Sequence, residues 1–256
     1  MTEDILFTID GAIATITLNR PQKLNAVTPE MADAIVSAVK ACNDSDTIRC
    51  VILTGAGERA FCAGSDIREL DTYETPWQFR NRPDYCDAFR ALLKPTVCAV
   101  NGYAFGGGLE TAMSCDIRIA SDNAQFAAPE IKLGWIGGGG MAAHLMHSIG
   151  ASNAALMLMT GDPIPADKAL AWGLVSEVVL QADLISRARA IAEVIAARAP
   201  IAAETAKLNL KAARSMPLEK AIEYERDLQT ICFATADAAE GRAAFKEKRA
   251  PVFKRR

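Results

Sequence analysis

No run of about 18 apolar residues free of charge occurs in this 256-residue chain, although half its residues are apolar. Its alanine-rich stretches are broken by charged or polar residues well short of that length, as by His144, His147, Ser148, Ser152 and Asn153, which argues against membrane insertion. Low-complexity tracts are missing too, so the chain can bury a full core as one large domain or as one domain plus an appendage. With 28 basic against 31 acidic residues, a net charge of -3 and a pI near 5.6, it lacks the overall positive charge of a nucleic-acid binder. A local basic patch able to hold an anionic ligand remains compatible with that balance. The opening Met1-Thr2-Glu3-Asp4 has neither the basic start and apolar core of an export signal nor an Arg-rich transit pattern. The seven cysteines are odd in number and scattered through apolar runs, without the spacing of a disulfide framework. Reduced, buried thiols in a reducing, cytoplasmic setting are expected. The only two histidines, His144 and His147, lie three apart, but no third ligand or Glu-x-x-His pattern accompanies them, and no metal site is expected.

Ile5 to Ile9 and Ala12 to Leu18 read as a hairpin around Asp10-Gly11. Thr28-Pro29-Glu30 is a helix entry, a hydroxyl cap followed by proline at the first helical position, and Met31, Ile35, Val39 and Cys42 continue at helical spacing. Two apolar strand runs, Cys50 to Thr54 and Pro95 to Val100, each precede a turn and a helical stretch, the alternation of an α/β architecture. Between them, Leu70 to Leu92 is polar and aromatic, and two readings stay open: a cover over a site, or a pair of surface helices. Beyond Gly150 the pattern is helical, with segments at Ala154 to Met159, Pro165 to Trp172, Gln181 to Arg198, Pro200 to Arg214, from Met216-Pro217, and from Asp237. A boundary near residues 196–200 divides residues 1–197 from a helical part at 198–256. Leu156, Met157, Leu158 and Met159 read as core.

Three segments carry chemistry. Asn101 to Glu110 sets Gly106-Gly107-Gly108 at the mouth of a helix with a carboxylate one turn in, so free N–H groups and the positive end of the helix can meet a developing negative oxygen. A second tight turn, Ala63-Gly64-Ser65-Asp66-Ile67, follows the first apolar strand, and Pro129-Glu130 fixes the backbone before another carboxylate, ahead of the cluster Gly137 to Gly140. Paired carboxylates can hold one water between them and exchange the roles of acid and base. Cys62, beside the second turn, reads as a packed thiol rather than a nucleophile.

Taken in order, Leu18 to Ala26, Ala63 to Ile67, Asn101 to Glu110, Pro129-Glu130, Ala171 to Val175 and Glu240 to Arg249 resemble the enoyl-CoA hydratase/isomerase, or crotonase, superfamily over nearly the whole chain. The resemblance implies a crotonase-like α/β spiral of ββα units followed by a C-terminal α-helical oligomerisation region, assembled as a trimer or dimer of trimers. It implies an acyl-CoA thioester substrate and hydration of a 2-enoyl-CoA, with coenzyme A part of the substrate and no separate cofactor. Glu130 corresponds to the principal acid/base, Glu110 to its water-orienting partner, and the N–H groups of Ser65 and Gly107 to an oxyanion hole. Lys23, Leu24, Ala26, Ala63, Gly64, Asp66 and Ile67 correspond to positions along the CoA path, and Phe245, Lys248 and Arg249 to a tail segment that approaches CoA from a neighbouring subunit. Trp135-Ile136 and Met141, where this chain departs from the usual hydratase run, are placed to narrow or redirect the acyl pocket. An enoyl-CoA isomerase, a carnitinyl-CoA dehydratase-like enzyme and a non-catalytic acyl-CoA-binding scaffold are the alternatives; the two glutamates favour the hydratase.

Overall fold

The computed structural model describes residues 3–256. Strands β1 (Ile5–Asp10) and β2 (Ile13–Leu18) pair antiparallel across Gly11, whose φ of 58° suits the tight turn. Helix α1 (Pro29–Asp44) begins where expected: the Thr28 hydroxyl accepts from Met31 N, and Met31, Ile35, Val39 and Cys42 are all buried. Then follow β3 (Cys50–Gly55), β4 (Ala60–Cys62), α2 (Ile67–Leu70), α3 (Pro76–Arg80), α4 (Tyr85–Arg90), β5 (Thr96–Val100), β6 (Tyr103–Phe105), α5 (Gly107–Ser114), β7 (Ile117–Ser121) and β8 (Gln125–Ala127). The remainder is α6 (Met141–Thr160), β9 (Ile164–Pro165), α7 (Ala166–Trp172), β10 (Glu177–Val179), α8 (Leu184–Ala196), α9 (Pro200–Ala213), α10 (Leu218–Phe233) and α11 (Ala236–Glu247).

Two sheets form the frame. The larger runs β1-β2-β3-β5-β7-β10, all neighbours parallel after the first hairpin, and the smaller runs β4-β6-β8-β9. From β3 to β8 the chain alternates between them, β3, β5 and β7 entering the large sheet and β4, β6 and β8 the small one, so this part repeats as a spiral. Alternation along β3 shows why the large sheet is covered on both faces: Cys50 and Ile52 pack with Leu184, Ala188, Ala192 and Ala196 of α8, whereas Val51 and Leu53 face the main core with α1 and α5. The four-residue spacing of that α8 stripe, three of its members alanine, lets the helix lie close against the strands.

Several expectations are corrected. The segment 70–92 is not a pair of surface helices, because Tyr85, Cys86 and Phe89 of α4 are buried. Strand β10 interrupts the helical second half and extends the large sheet beside β7. Helix α6 starts at Met141, ahead of the expected Ala154, and carries a non-helical Gly150 within it. Met157 is buried but Met159 is 77% exposed; residues two apart lie on different faces of a helix, so both cannot face one core.

Candidate active site

The small sheet explains how distant segments meet. β4, β6 and β8 are parallel neighbours, so their C-terminal ends lie side by side, and each end delivers one of the three turns: Ala63-Gly64-Ser65, Gly106-Gly107 and Ala128-Pro129-Glu130. Gly64 and Gly106 have φ of 96° and 56°, a region L side chains rarely adopt, and a Cβ on Gly64 would stand 3.1 Å from Gly107 N. The two turns therefore touch through backbone. Hydrogen bonds fix the first turn from outside: Ala63 N donates to Leu24 O (3.0 Å), Val27 N to Gly64 O (2.8 Å) and Asp66 N to Val27 O (2.9 Å). Buried Asn25 and Asn101 hold the connection before it, Asn25 Nδ2 donating to Ala60 O (2.8 Å) and Asn101 Nδ2 to Gly57 O (2.6 Å).

Ala63, Gly64, Ser65, Ile67, Gly106, Gly107, Glu110, Glu130, Trp135 and Ile136 line one cavity of about 740 Å³, with Tyr73, Phe79, Arg82 and Tyr85 on its walls. Glu110, on α5, is 5% exposed, and its Oε1 accepts from Gly139 N (2.7 Å) and Met141 N (3.1 Å) at the start of α6. Burial pushes its carboxyl up to about 7; the Gly139 N–H opposes the shift and the nearby Glu130 charge adds to it. The glycine loop is what lets the backbone close over this carboxyl, since a Cβ on Gly137 would lie 2.8 Å from Oε1 and one on Gly139 2.7 Å from Oε2. Burial also raises the Glu130 carboxyl above its usual range, against a hydrogen bond from its own backbone. Its Oε2 is buried and has no hydrogen-bond partner among the described residues. A buried acceptor left open on a cavity wall is a place for a water or substrate donor.

Other expected site residues lie outside the cavity lining of the single chain. Asp66 caps α2 through Arg68 N (3.2 Å) and pairs with Arg20 (2.8 Å), which holds its carboxyl below the usual range, so its role here is to fix the turn. Lys23, Leu24 and Ala26 stand behind the first turn and outside the cavity lining, Lys23 exposed and the carbonyls of Leu24 and Ala26 already accepting from Ala63 N and Arg20. On α11 and its end, Phe245 is 86% exposed, Lys248 caps the helix with φ 54°, and Arg249 is paired with Glu240 and Glu247; none lines the cavity. Met141 contributes its N–H to Glu110, not its side chain to the pocket, because that side chain is buried in the core. Cys62 is fully buried and its thiol is pushed up to about 12, which removes it as a nucleophile at neutral pH. His144 is held down to about 4 by burial and by Arg214 and Arg90, so it is neutral. Among the described residues no cluster of His, Cys, Asp and Glu suits a metal ion, and no helix is long and apolar enough to cross a membrane.

Tyr85 and Arg90, both on α4, are the residues that motif reading missed. Tyr85 Oη lies 3.2 Å from Ser65 Oγ, and Arg90 Nη1 donates to Gly139 O at 2.5 Å, steadying the loop that grips Glu110. Helical phase within α4 offered the sole hint, since Tyr85 and Phe89 are four apart and share the inward face.

A two-sheet α/β spiral whose strand ends bring two glycine turns and two carboxyls to one cavity is the architecture of the crotonase class. Residues 8–256 match the family model for enoyl-CoA hydratase/isomerase, and the chain belongs to that family. It is 40% identical over 265 residues to a probable enoyl-CoA hydratase of Mycobacterium bovis, covering 99% of each chain. A (E)-benzylidenesuccinyl-CoA hydratase of Thauera aromatica is 37% identical, with 96% of this chain and 97% of the relative covered. Among solved structures, an enoyl-CoA hydratase from Bacillus anthracis superposes with a TM-score of 0.92 at 33% identity, over 99% of this chain and all of that one.

Proposed function

We propose that this protein is an enoyl-CoA hydratase, a hydro-lyase that reversibly adds water across the double bond of a 2-enoyl-CoA thioester. The thioester oxygen is received by the N–H groups of Ser65 and Gly107, the second at the positive end of α5. One carboxylate of the Glu110–Glu130 pair takes a proton from water, the hydroxide oxygen bonds to the β-carbon, and the electron pair of the double bond moves toward the thioester oxygen as an enolate. Collapse of the enolate with a proton from the pair at the α-carbon completes the addition. Glu130 is the principal acid/base and Glu110, gripped at Oε1, orients the water.

The observation that carries this reading is the unpartnered, buried Glu130 Oε2 in a cavity that Glu110 and both glycine turns also line. An isomerase needs one carboxylate to shuttle its proton; a second, with its carboxyl raised to about 7 and fixed by two backbone donors, is what water addition uses. Coenzyme A enters as part of the substrate, its acyl end past Ala63, Gly64 and Ile67 on the cavity wall and its remainder outside that cavity toward Lys23, Leu24, Ala26 and Asp66, with Phe245 and Lys248 supplied by a neighbouring subunit. A trimer or dimer of trimers built through the helical part at 198–256 brings those tail residues to the next site. Mixing the protein with a panel of enoyl-CoA thioesters and following loss of the conjugated absorbance tests the activity.

A further inference from the structure

We propose that the Tyr85 hydroxyl is a third hydrogen-bond donor to the thioester oxygen, beside the N–H groups of Ser65 and Gly107; this rests on the reading of those two turns as the seat of that oxygen. Tyr85 opens α4, is 7% exposed and lines the cavity. Its Oη occupies the space a Cβ on residue 107 would fill, so the phenol oxygen rests against the Gly107 backbone. On its other side it meets Ser65 Oγ at 3.2 Å. The phenol thus touches both turns at once.

Hydroxyl chemistry completes the argument. Each hydroxyl carries one hydrogen and accepts through its lone pairs. When Ser65 O–H donates to Tyr85 Oη, the phenol hydrogen is left to point at a ligand oxygen, and among the described residues Tyr85 Oη has no other partner. Burial, with the neighbouring Cys86, Cys62 and Asp84, keeps the phenol protonated far above neutral pH, so it is a donor whenever the enzyme works. A preorganised donor strengthens as the oxygen gains charge, so its effect falls on the transition state more than on binding. Glycine at 107 is thereby explained, since any side chain there meets the phenol oxygen.

The test uses butyryl-CoA labelled with carbon-13 at the thioester carbonyl, a saturated thioester that binds without reacting, and infrared measurement of the bound carbonyl stretch. In the wild type the stretch should fall on binding. Tyr85→Phe, which keeps the ring, should recover part of that fall and lower kcat by roughly 10-fold or more, with Kd for butyryl-CoA changed by less than about 2-fold. Replacing the chain's tyrosines with 3-fluorotyrosine, a more acidic phenol of nearly the same size, should lower the stretch further. A normal fall in the wild type that neither Tyr85→Phe nor fluorination alters would overturn the role of Tyr85 while leaving the two N–H donors in place. No fall in the wild type would overturn the oxygen seat itself, and the Tyr85 proposal with it.

Discussion

Glu110 is gripped by the fold at one oxygen and opposed by it in charge. Two backbone N–H groups hold Oε1, yet burial and the Glu130 charge push the carboxyl up to about 7 from an ordinary value of 4.5. The native state therefore binds a proton that the unfolded chain has released between about pH 4.5 and 7, and stability falls as pH rises through that window. Below it both states are protonated and nothing is lost; above it the full penalty, on the order of 3 kcal/mol, is present. Glu110→Gln keeps an oxygen for the two donors and removes the charge. Thermal melts should show the variant more stable than wild type at pH 8 and nearly equal at pH 4.5, while its turnover drops by orders of magnitude. A variant less stable than wild type at pH 8 would contradict this account of the Glu110 environment. Gly139→Ala probes the same grip from the other side: its Cβ would press within 2.7 Å of Oε2 and 3.1 Å of Cys86 Sγ. A loss of about 10-fold or more in kcat is expected from the displaced carboxyl, and kinetics indistinguishable from wild type would show that the loop yields instead.

The elements show what sequence could and could not convey. The hairpin, the Thr28 cap of α1 and the apolar runs of β3 and β5 were legible because each is a local pattern of turn chemistry or continuous burial. β4, β6 and β8 were not, since three residues are too few for any period to register. These short strands nevertheless align the three turns, so the motifs were readable while the reason for their convergence was not. Contacts made by α4 were hidden for a different reason. Tyr85 reaches Ser65 across 20 positions and Arg90 reaches Gly139 across 49, distances at which spacing carries no signal. Arg90→Met should loosen the 137–140 loop and reduce kcat by roughly 10-fold, with Kd for a product-like thioester nearly unchanged. Unaltered steady-state kinetics would show that the loop holds Glu110 without it. Gly107→Val would be a poor probe of the N–H donor, because its side chain would first strike Tyr85 Oη.

At the scale of the whole molecule, the helical part after Ala196 is bound to the spiral by ionic contacts yet leaves much apolar surface uncovered. Buried Lys94 pairs with Glu204 on α9 (2.9 Å), and Lys207 pairs with Asp116 (2.9 Å). Leu210, Leu218, Phe233 and Phe245 are all more than 60% exposed in the single chain. Surface of that kind is characteristic of subunit contact, so light scattering at micromolar concentration should report a trimer or hexamer; a stable monomer would leave Phe245 and Lys248 without a neighbouring site. The central claim, water addition by paired carboxylates under a polarised thioester, is tested most directly by presenting enoyl-CoA thioesters from crotonyl to aryl-substituted to the wild type and to Glu130→Gln, and following the conjugated absorbance together with the product. Wild type should consume at least one thioester to a 3-hydroxyacyl-CoA, and Glu130→Gln should bind it with similar affinity while turning it over at least about 100-fold more slowly. Hydration by Glu130→Gln at the wild-type rate, or double-bond migration without water uptake by the wild type, would contradict the account.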